Sequence, residues 1–233
     1  PNNGYIYVAN AVSCTMAVIN PSTNQVVANI SIGPPINTVY DPSTGYIYVL
    51  SGRFSIEIID PSTNQVISCI EMLEVPYDMV YDPSTGYLYG TEFNSNTVVV
   101  INQSTMQIIG AIQVGLVPTG IVYDPITGHL YVITYDCPIF VVDSSTNQVI
   151  DTIPINSQPH GITYNPNNGC LYVINTQILS SINGNVYLVK CATPSCDMVS
   201  VIDPSTNQII NNISVNGGGF WSITYDPNNG YLY

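Results

Sequence analysis

Short apolar runs separated by turn sequences dominate the chain. Runs such as GYIYV (45–49), SIEII (55–59) and VISCI (66–70) are too short for helices and are rich in Val, Ile and Tyr, which favour strands. They are separated by DPSTG (41–45) and DPSTNQ (60–65), whose Asp-Pro and Thr-Gly pairs are typical of tight turns. The pattern therefore predicts β-strands joined by tight turns.

The order of strands and turns repeats along the chain. The repeat units are residues 1–41, 42–82, 83–124, 125–165 and 166–226, and residues 227–233 begin a further unit. Segments such as 46–49 are apolar at odd and even positions alike, which predicts sheets covered on both faces. A four-stranded sheet repeated at this period is typical of a β-propeller. We predict an all-β fold in which residues 1–233 form a single propeller domain of about five blades, or belong to a larger propeller.

The chain begins with PNNGYIY (1–7) and ends with PNNGYLY (227–233), which are nearly the same sequence. The predicted strand at 221–226 could complete the first blade and close a five-bladed ring, as propellers often do by joining both termini in one blade. Residues 227–233 would then be surplus. We therefore expect either that the array of blades continues or that the terminal strand pairs with another subunit.

Two long elements resemble a known family of repeats. IYVANAVSCTMAVINPSTNQVVANISIG (6–33) and GYLYGTEFNSNTVVVINQSTMQIIGAIQVG (86–115) are similar to YVTN β-propeller repeats of archaeal and bacterial cell-surface and surface-layer proteins. The tetrapeptide of the family name is approximated by YVAN (7–10), YVIT (131–134) and YVIN (172–175). The resemblance covers essentially the whole chain and implies a propeller fold. It leaves function open, since related propellers include lactonases, lyases and electron-transfer enzymes.

The composition is unusually poor in charge. Charged residues make up 7% of the chain, against roughly 25% in average soluble domains, and 15 acidic residues face 2 basic ones, Arg53 and Lys190. The net charge of −13 excludes nucleic acid and anionic lipid surfaces as favoured partners, because they require clustered Lys and Arg. Protonation of the carboxylates would leave little self-repulsion, so we expect tolerance of an acidic exterior.

No membrane span is predicted, because the sequence contains no apolar run long enough to cross a bilayer. Sequons and cysteines, together with the low charge, favour a location outside the cell or on its surface. Three Asn-X-Ser/Thr sequons, at Asn29, Asn102 and Asn212, are candidates for N-glycosylation. Six cysteines, an even number, are compatible with disulfides in an oxidising environment.

Four cysteines fall in predicted loops between second and third strands: Cys14, Cys137, Cys191 and Cys196. A Cys191–Cys196 bridge that closes a short loop is the first choice, and a bridge from Cys137 to one of these two is the alternative. We predict no metal site, because no Cys-x-x-Cys pair or His completes a set of four ligands. No cofactor is predicted either.

The fifth unit differs from the others by an insert near residues 177–197. Within it, 178–190 places Asn183-Gly184 between two strand-like runs, which predicts a protruding hairpin with a tight turn. The insert is either a neutral loop or a lobe that binds a ligand or another subunit.

Residues just before the predicted innermost strands are candidates for a binding pocket at the mouth of the central channel. They are Asn37, Tyr77, Asp78, His160 and Trp221. Their alternative role is that of ordinary rim residues. The sequence contains no G-x-S-x-G nucleophile elbow, phosphate-binding glycine loop or haem-attachment motif.

These features favour a non-enzymatic, extracellular structural or surface-layer protein that associates with copies of itself in an oligomer, lattice or filament. A second hypothesis is a secreted binding module or adhesin that holds a glycan or a surface protein with its variable loops and insert. A third is a propeller hydrolase or lyase-like enzyme with its site at the channel.

Overall fold

The computed structural model describes residues 1–74, 76–155, 158–176, 197–215 and 223–233. The chain forms two compact units, Pro1–Gln113 and Val114–Tyr233. The described residues form β-strands and turns and contain no helix, so the all-β prediction is confirmed. The hairpin predicted at 178–190 and the proposed Cys191–Cys196 bridge lie outside the described residues.

The first unit, Pro1–Gln113, contains three antiparallel sheets, each formed by strands consecutive in sequence. The three strands of the first sheet are β1 (Ile6–Asn10), β2 (Thr15–Asn20) and β3 (Gln25–Ser31). The four strands of the second are β4 (Pro35–Tyr40), β5 (Ile47–Ser51), β6 (Ser55–Asp60) and β7 (Gln65–Glu71). Those of the third are β8 (Pro76–Asp82), β9 (Tyr87–Glu92), β10 (Thr97–Asn102) and β11 (Gln107–Gln113).

The second unit, Val114–Tyr233, contains two four-stranded antiparallel sheets. The strands of one are β12 (Pro118–Asp124), β13 (His129–Thr134), β14 (Ile139–Asp143) and β15 (Gln148–Ile153). The strands of the other are β16 (Gln158–Asn165), β17 (Cys170–Thr176), β18 (Asp197–Asp203) and β19 (Gln208–Val215). Near the end of the chain Tyr225 pairs with Leu232, and Thr224 and Tyr233 exchange two backbone hydrogen bonds of 3.0 Å. Residues 227–233 thus turn back onto the preceding segment.

Strand β5 shows why both faces of a sheet are apolar. Ile47 and Val49 belong to a buried cluster shared with the first sheet, whereas Tyr48 and Leu50 belong to a cluster shared with the third. Alternate side chains of a strand point to opposite faces, so the second sheet packs between the first and the third. The second unit has a corresponding cluster in which Tyr131 packs with Leu171. The prediction of sheets covered on both faces is confirmed for the second sheet.

The turn between first and second strands depends on an Asp that caps its own loop. Oδ1 of Asp41 accepts hydrogen bonds from the backbone N–H and the hydroxyl of Ser43, both 2.7 Å, and Oδ2 accepts one from Thr44 Oγ1 at 2.6 Å. Gly45 closes the turn at φ 78°, a conformation that disfavours other residues. Asp82 is capped in the same way. Both acids therefore cap their own turns, as the Asp-Pro sequences suggest.

A repeated tyrosine connects each of several sheets to a turn of the next. Tyr7 Oη donates to Asn64 Oδ1 at 2.7 Å, and Tyr131 Oη donates to Asn207 Oδ1 at 3.3 Å. Both Asn residues lie in the DPSTN turn between third and fourth strands. Burial raises the pKa of Tyr131 to about 12, so this hydroxyl remains a donor throughout the neutral range. These hydrogen bonds give a physical reason why the tyrosine and the DPSTN turn recur together in the repeat.

The turn carboxylates make stability depend on pH. Burial alone would raise the pKa of Asp41, but hydrogen bonds from Thr44 and Ser43 outweigh it and lower the pKa. Hydrogen bonds from Ser62 lower the pKa of Asp60, and Asp203 follows the same pattern. A group whose pKa is lower in the folded state stabilises the fold above its unfolded pKa, near 4, and loses that contribution as the pH falls through the folded pKa.

We therefore expect Tm to be constant from about pH 8 to pH 5 and to decrease below about pH 4, which limits the tolerance of acid expected from reduced self-repulsion. Thermal unfolding followed by circular dichroism across this range tests the prediction. Asp41→Asn is the matched control, since Asn165 caps the equivalent turn through its Oδ1 at 2.9 Å from Asn167 N. Its Tm should decrease less in acid than that of the wild type. A Tm unchanged down to pH 2 would contradict the prediction.

Candidate functional site

Irregularities in the first strands determine where the predicted pocket residues lie. The pairing of β8 with β9 shifts between Pro76 and Met79, so Tyr77 and Asp78 form a bulge. The pairing of β16 with β17 shifts in the same way around His160. A bulge redirects side chains and is often found next to functional sites.

The structure brings Asn37 and Asp78 together. Asn37 Nδ2 donates to Asp78 Oδ1, which also accepts the backbone N–H of Met79 at 2.9 Å. The backbone N–H of Asp78 donates to Thr91 Oγ1 at 2.9 Å. Within the first unit, the carboxyl group is thus held in a set of hydrogen bonds that connects β4, β8 and β9.

Two of the predicted pocket residues belong to the second unit. His160 is half-buried in β16 of the second unit. Trp221 lies outside the described residues. Within the first unit the structure places Asn37 against Asp78, with Tyr77 beside Asp78 in the bulge, and the five-residue pocket stays a prediction.

Tyr77 stacks on Phe93, a residue that the sequence reasoning did not select. Their ring centroids lie 6.2 Å apart at an interplanar angle of 23°. Phe93 belongs to the loop between β9 and β10, and the next residue in that loop, Asn94, donates from Nδ2 to Glu74 Oε2 at 3.2 Å. The aromatic pair and the Asn94–Glu74 contact therefore connect this loop to the segment that precedes β8.

Further contacts extend this region to the second sheet. The backbone N–H of Met72 donates to Phe54 O at 2.7 Å. This hydrogen bond places the exposed Leu73 near the loop that precedes β6. On the other side, Gly52 N donates to Pro34 O at 2.8 Å. The loops joined by these contacts carry several exposed apolar residues, which we call the loop surface. Its apolar members are Ile36, Phe54, Leu73, Tyr77 and Phe93, between 37% and 87% exposed.

Phe54 occupies the left-handed region of the backbone, with φ 61°. A bulky side chain is unfavourable there, whereas Asn is among the residues that tolerate it best. Asn96 takes the equivalent loop position in the third sheet, at φ 59°. Phe54 therefore combines a strained backbone with an aromatic side chain that is 44% exposed.

A second group of exposed residues lies on the last strands of the sheets (β3, β7, β11, β15 and β19), each at one edge of its own sheet. In all five sheets the last two strands are out of register by one residue, which leaves one residue of the edge strand unpaired in a bulge. The bulge residues are Val27, Ile67, Ile109, Ile150 and Ile210. Each is a large aliphatic residue between 45% and 57% exposed. We call these residues the edge-bulge set.

The edge strands carry little charge. Strands β3, β7, β11, β15 and β19 contain no Lys or Arg, and their acidic residues are Glu71 and Asp151. Natural edge strands usually carry charged side chains, especially Lys, to prevent association. The repeated pair of aliphatic residues after each Gln, as in 25–27 and 65–67, could have indicated this surface in the sequence.

The cysteines that the structure describes differ in burial and in their contacts. Cys14 is a free thiol whose Sγ lies 3.7 Å from Ala11 O, so it forms no disulfide in this structure. Burial raises the pKa of the Cys137 thiol, and both cysteines proposed as its partners lie outside the described residues. Cys69, on an edge strand, is an exposed free thiol.

The three sequons differ in environment. Asn29 lies exposed on β3. Asn102 uses Oδ1 to cap a turn by accepting the N–H of Ser104 at 2.9 Å. Asn212 is exposed on β19 and accepts a hydrogen bond of 2.7 Å from Ser200 Oγ. Glycosylation at these positions remains a prediction.

No group of three or more His, Cys, Asp or Glu in the described ranges could hold a metal ion. The described chain likewise includes no helix that is long and apolar enough to span a membrane.

The loop surface consists of aromatic and aliphatic side chains bordered by carboxylates and amides, a composition suited to binding.

The arrangement of sheets defines a β-propeller-like all-β fold. No family model matches the sequence, and no curated protein is similar to it in sequence. Among solved structures, the fold is similar to a chain of Kuenenia stuttgartiensis hydrazine synthase, with a TM-score of 0.71 and 20% sequence identity. The match covers 85% of this chain and 54% of that chain. At this identity the likeness shows the fold alone, and membership of the YVTN family remains a prediction.

Proposed function

We propose that the chain is part of a β-propeller of YVTN-type repeats and serves as a non-enzymatic structural or surface-layer protein outside the cell. In this proposal copies of the chain associate through the edge-bulge set. The extracellular location is supported by the low content of Lys and Arg and by the sequons at Asn29, Asn102 and Asn212.

The observation that carries the proposal is the repetition of an exposed aliphatic bulge on the last strand of all five described sheets. These side chains remain in water in the single chain, and their burial against a partner would release apolar surface from water. A bulge interrupts the backbone ladder of an edge strand and so hinders simple strand addition. Contact between side chains is therefore the favoured mode of association.

A second copy is the partner that best fits this surface. The edge strands contain no Lys or Arg, so two of them can meet without burying a cation. Because the same aliphatic pattern recurs in every repeat, identical copies present matching surfaces to each other, as self-associating interfaces require. The net charge of −13 opposes association at neutral pH, and this repulsion weakens as carboxylates are protonated near pH 4.

The experiment replaces all five edge-bulge residues by Lys. We expect the wild-type chain to form oligomers as its concentration increases, more strongly near pH 4 than at pH 7, and the Lys variant to remain monomeric with an unchanged circular dichroism spectrum. Size-exclusion chromatography with light scattering gives the mass of each species. Ile126→Lys, at an exposed turn position of the second unit, is the control and should associate like the wild type. A wild-type chain that stays monomeric at both pH values would refute the proposal.

A further inference from the structure

The loop surface has properties that folding does not explain. Exposed apolar side chains gathered on neighbouring loops are typical of a site of interaction, and the five apolar members of this surface include Leu73 at 87% exposure. Aromatic residues at the centre with polar groups around them are typical of protein interfaces. The surface is separate from the edge-bulge set, since its residues lie in loops and at the beginning of first strands.

Phe54 gives the clearest indication of binding. Asn would relieve the unfavourable backbone conformation and would also remove exposed apolar area from water. The third sheet uses that solution at Asn96. An aromatic residue at position 54 therefore disfavours folding through both its backbone conformation and its exposed apolar area. Backbone strain of this kind is concentrated at functional sites.

The loop surface is also negatively charged. Glu71, Glu74 and Asp78 lie in or next to it, with Arg53 as the basic residue among its loops. The carboxyl group of Glu92, which precedes Phe93 and is 4% exposed, accepts hydrogen bonds through Oε2. Its Oε1 has no hydrogen-bond partner.

We propose that the loop surface binds a polypeptide segment in which Lys or Arg residues alternate with apolar residues. The apolar side chains pack on Ile36, Phe54 and Leu73. The cationic groups meet the carboxylates and the Tyr77–Phe93 pair, where a cation near an aromatic ring is attracted by the ring quadrupole. Complementary charge of this kind also increases the rate of association.

Two other occupants fit less well. A second copy of the chain offers only Arg53 and Lys190 as cations, so the partner is a different protein. A neutral glycan would need free hydrogen-bonding groups, but the amides of Asn37 and Asn94 already donate to neighbouring carboxylates. The aliphatic side chain of Leu73 also suits an apolar residue better than a hydroxylated sugar.

The test measures binding of a labelled synthetic peptide of alternating Lys and Leu by fluorescence anisotropy. We expect Phe54→Asn to weaken binding by about tenfold, the effect of losing one central aromatic contact. The same variant should raise Tm by about 2–4 °C, because it relieves the strain. Loss of affinity together with a gain in stability is a result that a purely structural Phe54 would not give.

Leu73→Ser is a second variant whose folding is not at risk, and it should also weaken binding. Ile126→Ser, 73% exposed in a turn of the second unit, is the control and should bind like the wild type. A peptide with Glu in place of Lys should not bind. Equal binding by all variants, or a Tm that decreases in Phe54→Asn, would overturn the proposal. So would binding of neutral glycans from an array, lost in Phe54→Asn, without binding of the peptide.

Discussion

Replacement of Leu88 by Ala is expected to lower the free energy of unfolding by about 2–5 kcal/mol. Leu88 is fully buried in β9 and belongs to the cluster that joins the second and third sheets. Removal of its side chain leaves a cavity between the second and third sheets. The backbone of each sheet is fixed by the hydrogen bonds between its own strands, so the cavity cannot close completely. The loss therefore combines the transfer free energy of the missing groups with the cost of the cavity.

Urea denaturation followed by circular dichroism measures this loss. Leu73→Ala is the matched control, because it deletes the same atoms from a side chain that is 87% exposed. We expect its free energy of unfolding to stay within about 0.5 kcal/mol of the wild type. Equal effects of the two substitutions would mean that the cluster between the second and third sheets does not stabilise the fold as described.

Replacement of Gly33 by Ala is expected to lower the free energy of unfolding by about 1–3 kcal/mol, the usual range for overpacking. A Cβ atom at this position would lie 2.0 Å from Ser51 Oγ and 2.8 Å from Glu57 Oε1. Ser51 is fully buried, and Glu57 accepts the backbone N–H of Gly33 at 2.6 Å. The substitution therefore forces a buried hydroxyl and a hydrogen-bonded carboxylate to move.

Gly110→Ala is expected to have the opposite sign. This glycine lies on the edge strand β11, and a Cβ atom there would meet no atom within 4 Å. Alanine reduces the freedom of the unfolded chain and should stabilise the protein by about 0.4–1 kcal/mol. Thermal and urea unfolding of both variants tests the pair. A Gly33→Ala variant as stable as Gly110→Ala would show that the close approach of Ser51 and Glu57 is incorrect.

Much of the fold could be predicted because its determinants are local. Asp41 caps a turn with groups two and three residues away, so DPSTG identifies the turn wherever it occurs. The candidate site was only partly predictable. Asn37 and Asp78 were selected from their place in the repeat, and their contact was found only in the structure. Phe93 was not selected, because nothing in its own loop indicates that its ring stacks on Tyr77.

The sequence by itself determined the strands, the turns and their repetition, because alternation of side chains and turn chemistry act over a few residues. The tertiary structure decided which apolar residues remain exposed. On the edge strand β3, Val26 and Val27 are 55% and 50% exposed, whereas Ile30 of the same strand is 5% exposed. The loop surface likewise joins Phe54, Leu73 and Phe93 from three separate loops. Contacts between such distant segments depend on how whole sheets pack, a sum of many weak interactions that no short stretch of sequence specifies.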